Sequence, residues 1–178
     1  CAAFLFIPLL GFSLFPNADT SYFRVTVEAE QGASIAETGR IVRQVSEILK
    51  TEPAIKVRAE NVGAYNPPVF YNVFQRGENP THGEVLAIMD NWEGSKSRAM
   101  VDRLRKKFDE ISGARIKLVL FQNGAPINAP VEFRVYGPDQ DELKRVAAKM
   151  ELALRETPGA RDINNPVAFD RIDLDIRV

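Results

Sequence analysis

Cysteine, histidine and tryptophan each occur once in this chain, and their scarcity removes several kinds of chemistry at the outset. A lone Cys1 excludes an internal disulfide framework and leaves the redox compartment open. No cluster of Cys, Asp or Glu surrounds His82 at ligand spacing, so the residue reads as a solvent-exposed loop histidine and no metal site is expected. Met89, Met100 and Met150 stand singly at core-like positions, which disfavours soft-metal cargo. Neither GxSxG, HExxH, a phosphate-cradling glycine loop nor a dinucleotide fingerprint occurs, so no catalytic residue and no cofactor is expected. With 23 basic and 24 acidic residues the net charge is −1, too balanced for a nucleic-acid face.

Charge is also missing from Cys1 to Ala18, where CAAFLFIPLLGFSLFP runs apolar before Asp19 begins an ordinary polar alternation. A membrane-spanning helix needs ~20 mainly apolar residues, and this run is already under way at a first residue that is not Met. The pattern predicts the end of a transmembrane helix over 1–17, and a chain cut from a larger membrane protein. A secretory signal would carry a basic start and a small-residue cleavage site, which Phe15-Pro16-Asn17 does not offer. A lipoprotein anchor places its apolar run before the cysteine. Pro8 and Gly11 suit a membrane helix better than a soluble one.

Beyond that end, ~160 residues suffice for one ordinary domain or two small ones. Ser21 to Glu30 alternates, with Phe23, Val25 and Val27 on one face, and predicts a half-buried strand. Ser34 and Glu37 form a capping box opening a helix striped by Ile41, Val42, Val45, Ile48 and Leu49, which Pro53 stops. Strands are predicted at Ile55–Asn61, Val85–Met89 and Ala114–Gln122, with a second helix from about Ser95 to Ile111 burying Val101, Leu104, Phe108 and Ile111. The order β-α-β-β-α-β is the split βαβ, or ferredoxin-like, arrangement over 18–123.

After the linker NGAPINAP a second unit, 124–178, repeats the start of that order as β-α-β. Val131, Phe133 and Val135 alternate; Asp139 and Glu142 cap a helix striped by Leu143, Val146, Ala147, Met150 and Leu154; Ile172, Leu174, Ile176 and Val178 alternate again. Ser34 with Asp139, Glu37 with Glu142, Leu49 with Leu154 and Pro53 with Pro158 are separated by one constant offset, the mark of a tandem unit. The fold class expected is α+β: tandem ferredoxin-like subdomains preceded by the end of a transmembrane helix.

The apolar end followed by FPNADTSYFRVTVEAEQGAS, and the later GAPINAPVEFRVYGPDQDEL with PGARDI, resemble the resistance-nodulation-division (RND) efflux permeases, in flavour the C-terminal half. The likeness runs along essentially the whole chain. It implies paired porter subdomains facing the periplasm from the bacterial inner membrane, and proton-driven export of apolar or amphiphilic small molecules. The partners it implies are the other protomers of a homotrimer, a periplasmic adaptor and an outer-membrane channel. The acids of a proton relay would lie elsewhere, since 1–18 holds none.

The connection from Val62 to Gly83 is long for a compact domain and carries Tyr65, Phe70, Tyr71 and Phe74 within ten residues. The resemblance implies a switch loop here that contacts substrate, and Tyr65, Asn66, Pro67, Phe70, Tyr71 and Phe74 are the candidate substrate-binding residues. Aromatic faces bury large area with little directional demand, which permits many ligands. The tip reads AYNPP instead of a glycine- and phenylalanine-rich segment, and VFYNVF alternatively reads as one more strand with Phe70 and Phe74 inward. Asp173 and Asp175, with Asp162 nearby, read as a solvated strand face, a hydrolase pair being the rival. Arg103, Arg105, Lys106 and Lys107 read as the exposed face of their helix. A membrane-anchored binding or assembly module is the alternative to a transporter.

Overall fold

The computed structural model describes residues 18–74, 77–124, 131–160 and 163–168. The helix end expected over 1–17, the strand expected over 171–178, and Asp162, Asp173 and Asp175 lie outside them. Among the described residues no helix is long and apolar enough to cross a membrane. The chain divides into two units, Cys1–Pro126 and Ile127–Val178.

In the first unit, strand β1 (Tyr22–Ala29) buries Phe23, Val25 and Val27 completely, as its alternation requires. Helix α1 (Ile35–Lys50) starts where the Ser34 hydroxyl accepts the Glu37 N–H at 3.2 Å. The Glu37 carboxylate does not close the expected box; it pairs with Arg40 at 2.6 Å, one turn along. Ile41, Val42, Val45 and Leu49 line the buried face of α1. Strand β2 (Ile55–Val62) follows, then β3 (His82–Met89), α2 (Gly94–Asp109) and β4 (Ala114–Val119). Helix α2 buries Met100, Val101, Leu104 and Phe108.

The strands stand in the order β2-β3-β1-β4, each neighbour antiparallel, which is the topology of the split βαβ unit. Val85, Ala87 and Met89 of β3 join Phe23, Val25 and Val27 in one core with the stripes of both helices. Edge strand β2 carries a bulge between Ile55 and Val57. Close packing of α1 on β3 depends on Gly83, where a Cβ would lie 2.3 Å from Val42 Cγ2. Gly63, at φ +74°, makes the turn that leads β2 into the long loop.

In the second unit, helix α3 (Gln140–Glu156) is capped by Asp139, whose Oδ1 accepts the N–H groups of Asp141 at 2.8 Å and Glu142 at 3.0 Å. The Glu142 carboxylate again turns to Arg145 at 2.6 Å, so both helices start the same way. The strand expected at Val131, Phe133 and Val135 does not pair with another among the described residues, and Val131 and Phe133 are 65% and 58% exposed. An alternating segment becomes a strand only through a ladder, and the strand expected later in this unit falls at 171–178. The Leu143 to Leu154 stripe is correspondingly only half-buried.

Candidate functional site

Strand pairing alternates side chains between two faces, so the residues of β3 that do not face the helices are His82, Glu84, Leu86 and Ile88. The register places Thr26 of β1 and Asn61 of β2 on either side of Glu84, with Arg24 diagonally next to it. In a sheet with helices on one side only, this outer face is ordinarily wet. Here His82 is 4% and Glu84 2% exposed, because the loop between β2 and β3 returns across them. His82 is therefore not the surface histidine expected from the sequence. Strand β3 begins three residues earlier than its apolar run, and the Tyr65 ring stacks on the imidazole with centroids 3.9 Å apart.

The buried Glu84 carboxylate is shared between sheet and loop. Its Oε1 meets Arg24 Nη1 at 3.4 Å and His82 Nε2 at 3.3 Å, and its Oε2 accepts the Asn66 N–H at 2.9 Å. Burial pushes the carboxyl up, but the close approach of His82, the Asn66 hydrogen bond and the charge of Arg24 hold it below its ordinary value. The Asn61 amide in turn donates to Asn66 Oδ1. Both ends of the loop are closed by main-chain bonds: the Gly63 N–H to His82 O at 2.8 Å, and the Asn79 N–H to Gly63 O at 2.9 Å.

Further along, the loop changes character. Phe70 stacks on Phe121 at 5.0 Å, Phe121 meets Tyr22 at 5.3 Å, and Phe70 leans on Tyr71 at 4.9 Å. The Gly124 N–H donates to the Tyr71 hydroxyl at 2.6 Å, and the Asn72 amide donates to Gln122 O at 2.8 Å and Gly124 O at 3.0 Å. Between these holds lies an open recess of about 420 Å³, lined by Pro68, Val69, Phe70, Tyr71, Val73 and Phe74. Tyr71 and Phe74 remain 67% and 69% exposed. Such a concentration of aromatic surface with few polar directions suits flat or flexible apolar guests.

Of the six residues singled out from sequence, three therefore line the recess: Phe70, Tyr71 and Phe74. Tyr65 and Asn66 instead form the root of the loop on the sheet, and exposed Pro67 lies outside the recess lining. VFYNVF is not a strand. The residues that sequence reasoning missed are Val69, Val73 and the buried Phe121, a partner near the linker that no local period announces. The basic face of α2 is exposed as expected and is laced by ion pairs: Arg103 and Lys107 both reach Glu52, at 3.0 and 3.7 Å, and Arg105 pairs with Asp102 at 3.2 Å.

The profile of the AcrB/AcrD/AcrF family matches residues 1–178. The chain belongs to that family of RND efflux permeases. Its fold is also that of two solved structures, crystal forms II and I of a heavy metal efflux pump, at TM-scores 0.57 and 0.58. Both are 16% identical over 90% and 89% of this chain, which spans 18% and 17% of the length of those pumps. No match is found among curated proteins. The α+β fold is similar to that of RND pump porter domains, and in the first unit the aromatic loop is an excursion from the sheet face that the helices leave uncovered.

Proposed function

We propose that this chain forms part of the periplasmic substrate path of a proton-driven efflux transporter of the bacterial inner membrane, from the C-terminal half of the permease. Residues 1–17 would be the end of a membrane helix, 18–123 a complete porter subdomain and 124–178 the first half of another. The cargo is apolar or amphiphilic, and the aromatic segment Phe70 to Phe74 contacts it. The working assembly is a homotrimer that hands cargo to a periplasmic adaptor and an outer-membrane channel. Tyr65, Asn66 and Pro67 act in this reading as the stem of the contact segment.

The observation that supports the cargo class is the recess with Tyr71 and Phe74 held largely in solvent. A contiguous exposed apolar patch beside an open recess is the surface expected of a ligand-binding groove. The test is retention of an apolar fluorescent dye in cells lacking their own pumps that express the full-length transporter carrying this chain. Tyr71→Ala with Phe74→Ala should raise dye retention at unchanged protein level, and a protonophore should raise it in the unaltered transporter. Unchanged export in the double variant would remove the segment from the path. Resistance to divalent metal ions without any dye export would replace the cargo class.

A further inference from the structure

We infer that Glu84 is a positioning residue for the aromatic segment: by accepting the Asn66 N–H, its buried carboxylate fixes the root from which Pro68 to Phe74 project. The inference rests on reading that segment as the cargo contact, and its own content is where the loop is held and by what.

A carboxylate on the floor of a sheet face is strongly disfavoured unless its oxygens are bonded. Arg24 and His82, both from the sheet, meet Oε1, while Oε2 accepts the Asn66 N–H from the main chain of the loop. The same loop provides the cover, since Tyr65 lies flat on His82. Satisfaction of the carboxylate and placement of the loop are thus one arrangement. Lifting the root would break a charge-assisted bond and admit water to three polar side chains together. Thr26 and Asn61, the cross-strand neighbours of Glu84, are neutral, and Asn61 adds a second hold on Asn66. Pro67 and Pro68, which follow, are exposed, and the segment is held again from Val69, whose carbonyl accepts the Tyr22 hydroxyl at 3.5 Å, to Asn72. A rigid root immediately before the prolines sets the direction in which the aromatic side chains leave the sheet.

Hydrogen exchange followed by mass spectrometry on the full-length transporter tests this, comparing peptides over 64–74 with peptides over β1 and β3. Glu84→Leu should speed exchange in 64–74 roughly tenfold or more, with β1 and β3 unchanged. Glu84→Gln keeps an oxygen for the Asn66 N–H and should recover part of that protection. Unaltered exchange of 64–74 in Glu84→Leu would overturn the inference. So would acceleration shared equally by β1 and β3, because Glu84 would then stabilise the whole unit and not the loop. If Glu84→Leu fails to accumulate, Glu84→Ser, too short to reach the Asn66 N–H, decides in its place: acceleration confined to 64–74 supports the positioning role and its absence overturns it. Dye export is read separately. A loosened loop with undiminished export would count against the cargo contact while the positioning role stood.

Discussion

Replacing Gly83 by alanine is a sharp test of how α1 sits on the sheet. The added Cβ would meet Val42 Cγ2 at 2.3 Å and Asn61 O at 3.3 Å. Carbon atoms pack at about 3.5–4.0 Å, so the valine methyl must retreat by more than an ångström. It has no easy retreat, because Val42 is completely buried and a β-branched side chain in a helix is confined to one rotamer. Overpacking of this kind costs about 1–3 kcal/mol, against which the reduced freedom of the unfolded chain returns about 0.4–1 kcal/mol. The net expectation is a loss of about 1–2 kcal/mol. Val42→Ala alone removes two buried methyl groups, or about 1.5 kcal/mol of transfer free energy before any cavity contribution. If the contact is the cause, the double variant should be more stable than the sum of the two losses by at least about 1 kcal/mol. Denaturant unfolding can be followed through Trp92, the single tryptophan, which packs against the core. Strict additivity, or a Gly83→Ala variant as stable as the parent, would refute the close approach of α1 to β3.

Three further outcomes follow from the same structure. Ser34→Ala and Asp139→Ala should each cost about 1 kcal/mol of helix stability by releasing N–H groups at a helix start, measurable by circular dichroism during unfolding. Glu84 has a lowered folded-state pKa, so its stabilisation is present above the unfolded value and is lost as pH falls through the folded one; unfolding midpoints taken from pH 7 downward should drop below the ordinary carboxylate range, and Glu84→Gln should flatten that drop. Glu52→Gln should cost under about 1 kcal/mol, since Arg103 is 57% exposed, and the difference should vanish in high salt.

The parts of the fold that were legible in the sequence are those whose signal is local. Phe23, Val25 and Val27 mark β1 by alternation, and Ser34 and Asp139 mark helix starts by side-chain chemistry acting within three residues. The start of β3 was not legible because His82-Gly83-Glu84 offers no apolar partner to Val85, and both polar residues are buried by a segment distant in sequence. The hint was the pairing of His82 with Glu84 two positions on, which shares a face only if the strand has already begun. In the aromatic loop, composition pointed to Phe70, Tyr71 and Phe74, but it could not separate them from Tyr65, whose ring is occupied by His82. The basic run on α2 read as an exposed face, which Arg103 and Lys107 are; its pairing with Glu52 was not legible because that residue follows a different helix.

The bulge in β2 decides which half of that strand belongs to which face. Ile55, Val57 and Ala59 alternate with Lys56, Arg58 and Glu60, so a regular strand would turn its apolar set toward the helices throughout. Because the register slips between Ile55 and Val57, the phase inverts after one residue: Val57 is left 51% exposed, while Asn61 and Val62 exchange sides. Val62 then lies under Gly39 of α1, and Asn61 arrives beside Glu84 within reach of Asn66. A regular β2 with all its residues kept would send the asparagine to the greasy side and the valine to the polar one, whereas deleting Lys56 would remove the bulge and leave Asn61 opposite Glu84 and Val62 opposite Gly83. A single extra residue at the sheet's margin thus sorts the end of β2 between two environments, giving up a valine's burial so that the loop has an amide to tie to.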